Sequence, residues 1–251
     1  LYLDTKNEKK KLHGITVGLK DMFSYKDHPL QAGSKILEGY ESKYNATVVE
    51  RILNEDAVVL GHQNCDQFGM GSSNENSIYG PCKNFINKEY SSGGSSGGGA
   101  VSVQANICDI SLTTDTGGST RQPAAFCGVI GFKPTYSRIS RYGVVAYASS
   151  LDCVGIIGQD IKKIAKVLEV ISGKDKKDHT CSKKAVEDYS NFENFSKKKY
   201  RIGYIKESLD FENLQKEIRD RTLSKLEILK KNGDEVSVIN FKLLKYSLPT
   251  Y

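Results

Sequence analysis

An α/β fold built around a mostly parallel sheet is what these 251 residues predict. Three features carry that expectation. A strand-like run at 201–205, a long helical repeat at 212–231 and a second strand-like run at 236–239 form a β-α-β unit, which places its two strands parallel. Near the amino terminus, 15–20, 45–56 and 57–60 read in the same strand, helix, strand order. The composition, 38% hydrophobic and 26% charged, supplies apolar surface for a core and excludes wholesale disorder.

Each element follows from its residues. Ile15, Val17 and Leu19 alternate with smaller or polar residues, so a strand is expected to run up to Lys20-Asp21. Val48, Val49, Ile52 and Leu53 mark one side of a helix over 45–56, and Ala57 to Leu60 reads as a buried strand. Residues 61–100 are rich in Gly, Ser and Asn and are expected to be loop. A helix followed by a strand ending near Thr114 is predicted over 101–114, then a second glycine-rich loop at 115–123. Asp160 is placed to cap a helix in which Ile161, Ile164, Ala165, Leu168 and Ile171 recur at helical spacing, with Gly173 as its stop. A polar connector spans 174–199, and the β-α-β segment occupies 200–251. The whole is expected to be a single domain whose chemistry lies in 12–173.

Charge and composition narrow the function. The net charge is +6, and half of it sits in 174–200, where eight lysines face five acidic residues; this reads as a solvated loop rather than a nucleic-acid groove. The six cysteines contain no C-x-x-C pair and the four histidines no H-E-x-x-H, so neither a metal site nor a disulfide scaffold is expected. No apolar run approaches the ~18 residues of a membrane span. The chain begins at Leu1 and stops straight after an apolar stretch, so a segment of a longer protein is expected.

Two loops carry the chemistry. Ser91 to Ala100 reads SSGGSSGGGA and runs directly into an apolar element, unlike a linker between independent units. It lacks the lysine of a phosphate-binding loop. It matches G-x-S-x-G on Ser95 and on Ser96, but the only later histidine, His179, lies in the hydrophilic connector, which argues against a Ser-His-Asp hydrolase. The second loop, Asp115 to Ala125, sets two glycines just before Ser119, so that successive N–H groups can converge on an oxyanion. With no histidine base, a neutral lysine can serve. A free lysine titrates near 10.4, and burial must lower it, each unit being worth about 1.36 kcal/mol. Lys20, at the end of an apolar strand rather than in a lysine run, is one candidate.

Together, Gly18-Leu19-Lys20-Asp21, Gly93 to Gly98 and Asp115 to Ala124 resemble the amidase signature family, in order and at its spacing: 75 residues from Lys20 to Ser95 and 24 from Ser95 to Ser119. Within that family the chain is most similar to the A-subunit branch of glutamyl-tRNA(Gln) amidotransferases. Leu12 to Ile15, Arg121 to Val129, Lys133 to Tyr136 and Ser140 to Asp152 carry that finer likeness. The resemblance implies an amidase-signature fold, a mixed but mostly parallel central sheet covered by helices on both faces.

It also implies a Ser-Ser-Lys triad, with Ser119 as nucleophile, Ser95 as proton relay and Lys20 as base. Backbone amides of Thr116, Gly117, Gly118 and Ser119 would form the oxyanion hole. Ser96 and Arg121 would steady the loops, and Met70, Gly71 and Ser72 would border the substrate pocket. The implied reaction is hydrolysis of glutamine, with ammonia passed to a B subunit that amidates Glu-tRNA(Gln). ATP and magnesium would be used by that partner, tRNA would be bound mainly there, and a small C subunit would clamp the pair. The chain itself would need no cofactor. A cytoplasmic address and an organellar one, mitochondrial or plastid, both stay open, the latter on the lysine- and asparagine-rich composition and the missing amino terminus; neither secretion nor a membrane is expected.

Some positions depart from the family pattern. Ser92 replaces a common proline, Gly99 adds backbone freedom after the serine loop, and Ser137 replaces a common glycine. Two other readings fit the same residues: a free-standing amidase acting on another amide, and an inactive truncated scaffold.

Overall fold

The computed structural model describes residues 9–191 and 199–251. Internal contacts divide the chain into two compact units, 1–190 and 191–251. In the first, β1 (Thr16–Lys20), β2 (Val58–Gln63), β3 (Ile110–Asp115), β4 (Ile130–Phe132) and β5 (Cys153–Gly158) form a sheet ordered β2-β1-β3-β5-β4. β1 pairs parallel to β2 and β3, while β5 runs antiparallel to both of its neighbours. Four of the five strands therefore point the same way, which gives the expected mixed and mostly parallel sheet.

Helices cover both faces. Val17, Leu19, Ile110, Leu112, Val154 and Ile156 project to one face, where they meet Val48, Val49 and Ile52 of α1 (Thr47–Asn54) and Ile164, Val167, Leu168 and Ile171 of α4 (Ile161–Ile171). Burying each such side chain is worth about 1.5–3 kcal/mol. The other face is shallower. Ile157 packs there with Ala100 and Val103 of α2 (Gly97–Gln104) and Ala124 of α3 (Arg121–Phe126). Small residues let these two helices approach closely: a Cβ on Gly99 would lie 2.5 Å from Ser111 Oγ. Gly99 thus serves contact rather than backbone freedom, and α2 starts at Gly97, four residues ahead of the expected 101.

Most predicted elements are present, with instructive differences. The Asp160 carboxylate accepts from Lys162 N–H and caps α4, and Gly173 follows it at φ +100°. β2 is not buried as expected; it is a half-buried edge strand, paired on one side only. β5 has no counterpart among the predicted elements, although all six of its residues are buried. Its run CVGIIG is apolar without alternation, as is usual for a strand covered on both faces.

The connector is more anchored than its composition suggests. Over 174–191 its lysines are exposed, but the Asp175 carboxylate accepts from the hydroxyls of Thr47 and Ser140, and Arg138 donates to Tyr189 Oη and to the carbonyls of 184 and 185. Residues 192–198 of the predicted connector lie outside the described residues.

In the second unit β6 (Arg201–Ile205) pairs parallel with β7 (Glu235–Ile239). A short α5 (Lys206–Leu209) follows β6, and α6 (Lys216–Lys231) is the connecting helix of the expected β-α-β unit. No described helix is long and apolar enough to cross a membrane.

Candidate active site

The site lies at the carboxyl ends of β1 and β3, where parallel strands of open α/β sheets commonly present their functional groups. β1 is flanked on both sides, so its last residue, Lys20, is carried into the interior and is 0% exposed. Its Nζ donates to Ser95 Oγ at 2.7 Å and to Thr114 Oγ1 at 2.8 Å. Burial lowers the Lys20 amine from 10.5 to about 8, against the opposing pull of negative charge at Asp66, Asp115 and Asp152. The neighbouring Cys65 thiol is pushed up to about 12 by its own burial, so it stays neutral at physiological pH.

Ser95 follows a cis Gly94–Ser95 peptide at the head of α2. The run of glycines around it is a packing requirement. A Cβ on Gly98 would strike the Asn64 backbone at 2.5 Å, and one on Gly97 would strike Ser92 Oγ at 2.2 Å. Ser96 is fully buried and its hydroxyl points to Thr114 O at 3.4 Å, a long contact.

The second loop leaves β3 at Asp115, whose 0%-exposed carboxylate organises the turn. It accepts from the Thr120 and Arg121 N–H groups at 3.1 and 3.2 Å, and from the Arg121 guanidinium at 3.0 and 2.9 Å. Burial alone would raise this carboxyl, but the Arg121 hydrogen bonds and charge outweigh it and hold it below the ordinary range. Ser119 sits inside this turn, 9% exposed, one residue after Gly118 at φ +138°. Thr116 Oγ1 donates to Asp152 Oδ1 at 2.6 Å, tying the front of the loop to the start of β5.

One residue joins the two loops. Gln122, in the first turn of α3, accepts from Gly94 N–H at 2.9 Å through Oε1 and donates to Ser72 O at 2.8 Å through Nε2. Ser72 is thereby fixed beside both loops. Gly71 lies against the Asp66 carboxylate, while Met70 turns outward at 54% exposure. Lys20 and Ser95 are thus brought into direct contact, and Ser119, Arg121 and Ser72 are tied to the same assembly through Asp115 and Gln122. Sequence reasoning missed Thr114, Gln122 and Asp66. Thr114 and Gln122 sit within or beside the quoted motif, but their partners become visible only once the loops meet. Among the described residues no three His, Cys, Asp or Glu side chains gather as around a metal ion.

A family model described as "Amidase" matches residues 2–251. The A subunit of the glutamyl-tRNA(Gln) amidotransferase from Koribacter versatilis is 45% identical over 248 residues, 99% of this chain and 52% of that protein. Its counterpart from Clostridium botulinum is 46% identical over 249 residues, 99% of this chain and 51% of that protein. The crystal structure of the counterpart from Thermotoga maritima superposes with a TM-score of 0.90 at 39% identity, over 98% of this chain and 54% of that one. A 6-aminohexanoate cyclic dimer hydrolase superposes at 0.84 with 26% identity, over 90% of this chain and 48% of that one. The chain spans about half the length of the curated relatives it matches. With the model match running over nearly every residue, the chain belongs to the amidase family.

Proposed function

We propose that this chain carries the glutamine-hydrolysing centre of a tRNA-dependent amidotransferase, working through Ser119, Ser95 and Lys20. The observation that carries the reading is the 2.7 Å hydrogen bond between Ser95 Oγ and a fully buried lysine whose amine is lowered to about 8. A lysine so placed is neutral in a useful fraction of molecules near neutral pH and can take a proton.

In the first half-reaction Ser119 Oγ attacks the side-chain carboxamide carbon of glutamine. Its proton moves to Ser95, whose own proton moves to Lys20. Negative charge on the carbonyl oxygen is met by the amides of Thr116 to Ser119. Collapse of the tetrahedral adduct breaks the C–N bond, and the proton held on Lys20 returns through Ser95 to the leaving nitrogen as ammonia. Water then attacks the glutamyl ester by the same relay, releasing glutamate and freeing Ser119. Met70, Gly71 and Ser72 border the entrance. That the relatives named above are A subunits of such an amidotransferase supports a multi-subunit assembly; in this reading ammonia passes to a B subunit that consumes ATP with magnesium and amidates Glu-tRNA(Gln), with a C subunit holding the pair.

The test uses the full-length protein with its co-purifying subunits. Ammonia release from glutamine is compared between wild type and Ser119→Ala, Ser95→Ala and Lys20→Ala, and hydroxylamine is added to intercept the acyl-enzyme. Release and hydroxamate formation in wild type, each lost by orders of magnitude in all three variants, are expected. Hydroxamate from Ser119→Ala would remove the proposed nucleophile, and cleavage of another amide without glutamine turnover would point to a free-standing amidase.

A further inference from the structure

Asp66 is a buried carboxylate for which the proton relay has no use. It is 0% exposed and follows β2 by three residues. Its backbone N–H donates to Ser95 O at 3.1 Å. Its Oδ2 accepts from Asn74 N–H at 2.9 Å and its Oδ1 from Asn76 N–H at 3.1 Å. Two glycines make room for it: a Cβ on Gly94 would lie 2.2 Å from Oδ2, and one on Gly71 would lie 2.3 Å from Cγ. Ser95 is therefore held at its own carbonyl, on the side leading to Ser96, by the Asp66 main-chain N–H, and Gly94 before it is bounded by the Asp66 carboxylate.

We infer that Asp66 is a positioning residue of the active site: it seats the peptide that carries Ser95 and contributes a negative charge facing Lys20. The inference rests on the reading of Lys20 and Ser95 as base and relay. The first role follows from the contacts above, since a displacement of about 1 Å in such a relay costs about 10²-fold in rate. The second concerns charge. Negative charge facing Lys20 comes from Asp66, Asp115 and Asp152, and Cys65 is the neighbouring thiol. Ser95 and Thr114 contact the amine as neutral hydroxyls. Asp115 is engaged by Arg121, and Asp152 accepts from Thr116 and from the N–H groups of Tyr147 and Ala148. Like Asp152, and unlike Asp115 with its guanidinium partner, the Asp66 carboxylate accepts from neutral donors, the N–H groups of Asn74 and Asn76.

Asp66→Asn removes the charge and turns one of the two oxygens that accept from Asn74 and Asn76 N–H into a donor, which loosens the seat, and Asp66→Glu keeps the charge but is one methylene too long for the space beside Gly71 and Gly94. Both are made in the full-length protein with its co-purifying subunits, and kcat/KM for glutamine is followed against pH. Asp66→Asn is expected to lose about 10²-fold and to move the acidic limb to lower pH by about half a unit or more, because losing an anion disfavours the charged lysine. Asp66→Glu is expected to be slowed similarly with its limb at the wild-type pH. A wild-type rate in Asp66→Asn, or a slowed enzyme whose limb stays in place, overturns the proposal. If circular dichroism shows Asp66→Asn unfolded, Asp66→Glu decides, and a wild-type rate there overturns it. Lys20→Ala runs alongside: activity surviving in that variant would instead remove the triad reading on which the inference stands.

Discussion

Lys20 Nζ donates to both Ser95 Oγ and Thr114 Oγ1, so one buried amine joins the ends of β1 and β3 to the head of α2. The same contact sets a pH requirement. A protonated lysine has no lone pair with which to accept a proton. For the free enzyme, kcat/KM for glutamine should rise with pH through about 8 and level above it. Lys20→Arg, whose guanidinium does not deprotonate, should lose about 10³-fold at every pH between about 6 and 9. A steady-state pH profile checks both.

Burial of Lys20 also has a stability signature. Its pKa in the folded state, about 8, lies below its value of 10.5 outside the fold. Between these two pH values the unfolded chain holds a proton that the folded chain has released, so stability rises with pH. The whole difference is about 3 kcal/mol, penalising the folded state below pH 8 and absent above 10.5. The stability of Lys20→Met relative to wild type should therefore fall by about that amount from about pH 7 to 10.5. Urea unfolding at the two pH values measures it.

Gln122 clips Gly94 to Ser72 without touching Lys20 itself. Gln122→Ala leaves Gly94 N–H without that acceptor and frees the serine loop. A drop of about 10–10² in kcat is expected, with a much smaller change in thermal midpoint, because the relay depends on position more than the fold does. Glutaminase kinetics beside a thermal melt separate the two effects.

Ser137 adopts φ +71°, in the left-handed region that favours glycine. A side chain there costs about 1–2 kcal/mol, partly offset by the greater unfolded-state freedom of glycine. Ser137→Gly should stabilise the protein by about 0.5–1 kcal/mol, read as a raised thermal midpoint without change in activity.

Gly99 should behave in the opposite sense to ordinary helix propensity. Replacing an exposed helical glycine by alanine usually gains about 1 kcal/mol. Here the new Cβ would stand 2.5 Å from Ser111 Oγ and 3.1 Å from Thr113 Cγ2. Ser111 is fully buried and its hydroxyl donates to Gln63 Oε1, so it has little room to yield. Gly99→Ala should destabilise by about 1–3 kcal/mol in the same melt.

Much of the site is legible in the sequence because its residues are local punctuation. Lys20 ends an alternating strand, and Ser95 and Ser119 lie in glycine loops whose spacing is unusual. α1 and α4 are legible for a related reason, since their apolar periodicity is imposed by one-sided burial. β5 escapes because a strand covered on both faces loses its alternation. Four consecutive apolar residues make β2 read as buried, but edge position depends on which strands pair, and that is a long-range fact. Asp66, Thr114 and Gln122 share this character: their neighbours lie between 8 and 94 residues away.

An amine of lowered basicity is ordinarily a liability in a cell, because its free electron pair combines with aldehydes, cyanate and activated acyl groups. Lys20 has such basicity but presents no surface to solvent. The enclosure that brings its affinity for protons near the physiological range also denies access to larger electrophiles. Amine-directed labelling of the intact fold would therefore mark the exposed lysines of the connector while passing over Lys20.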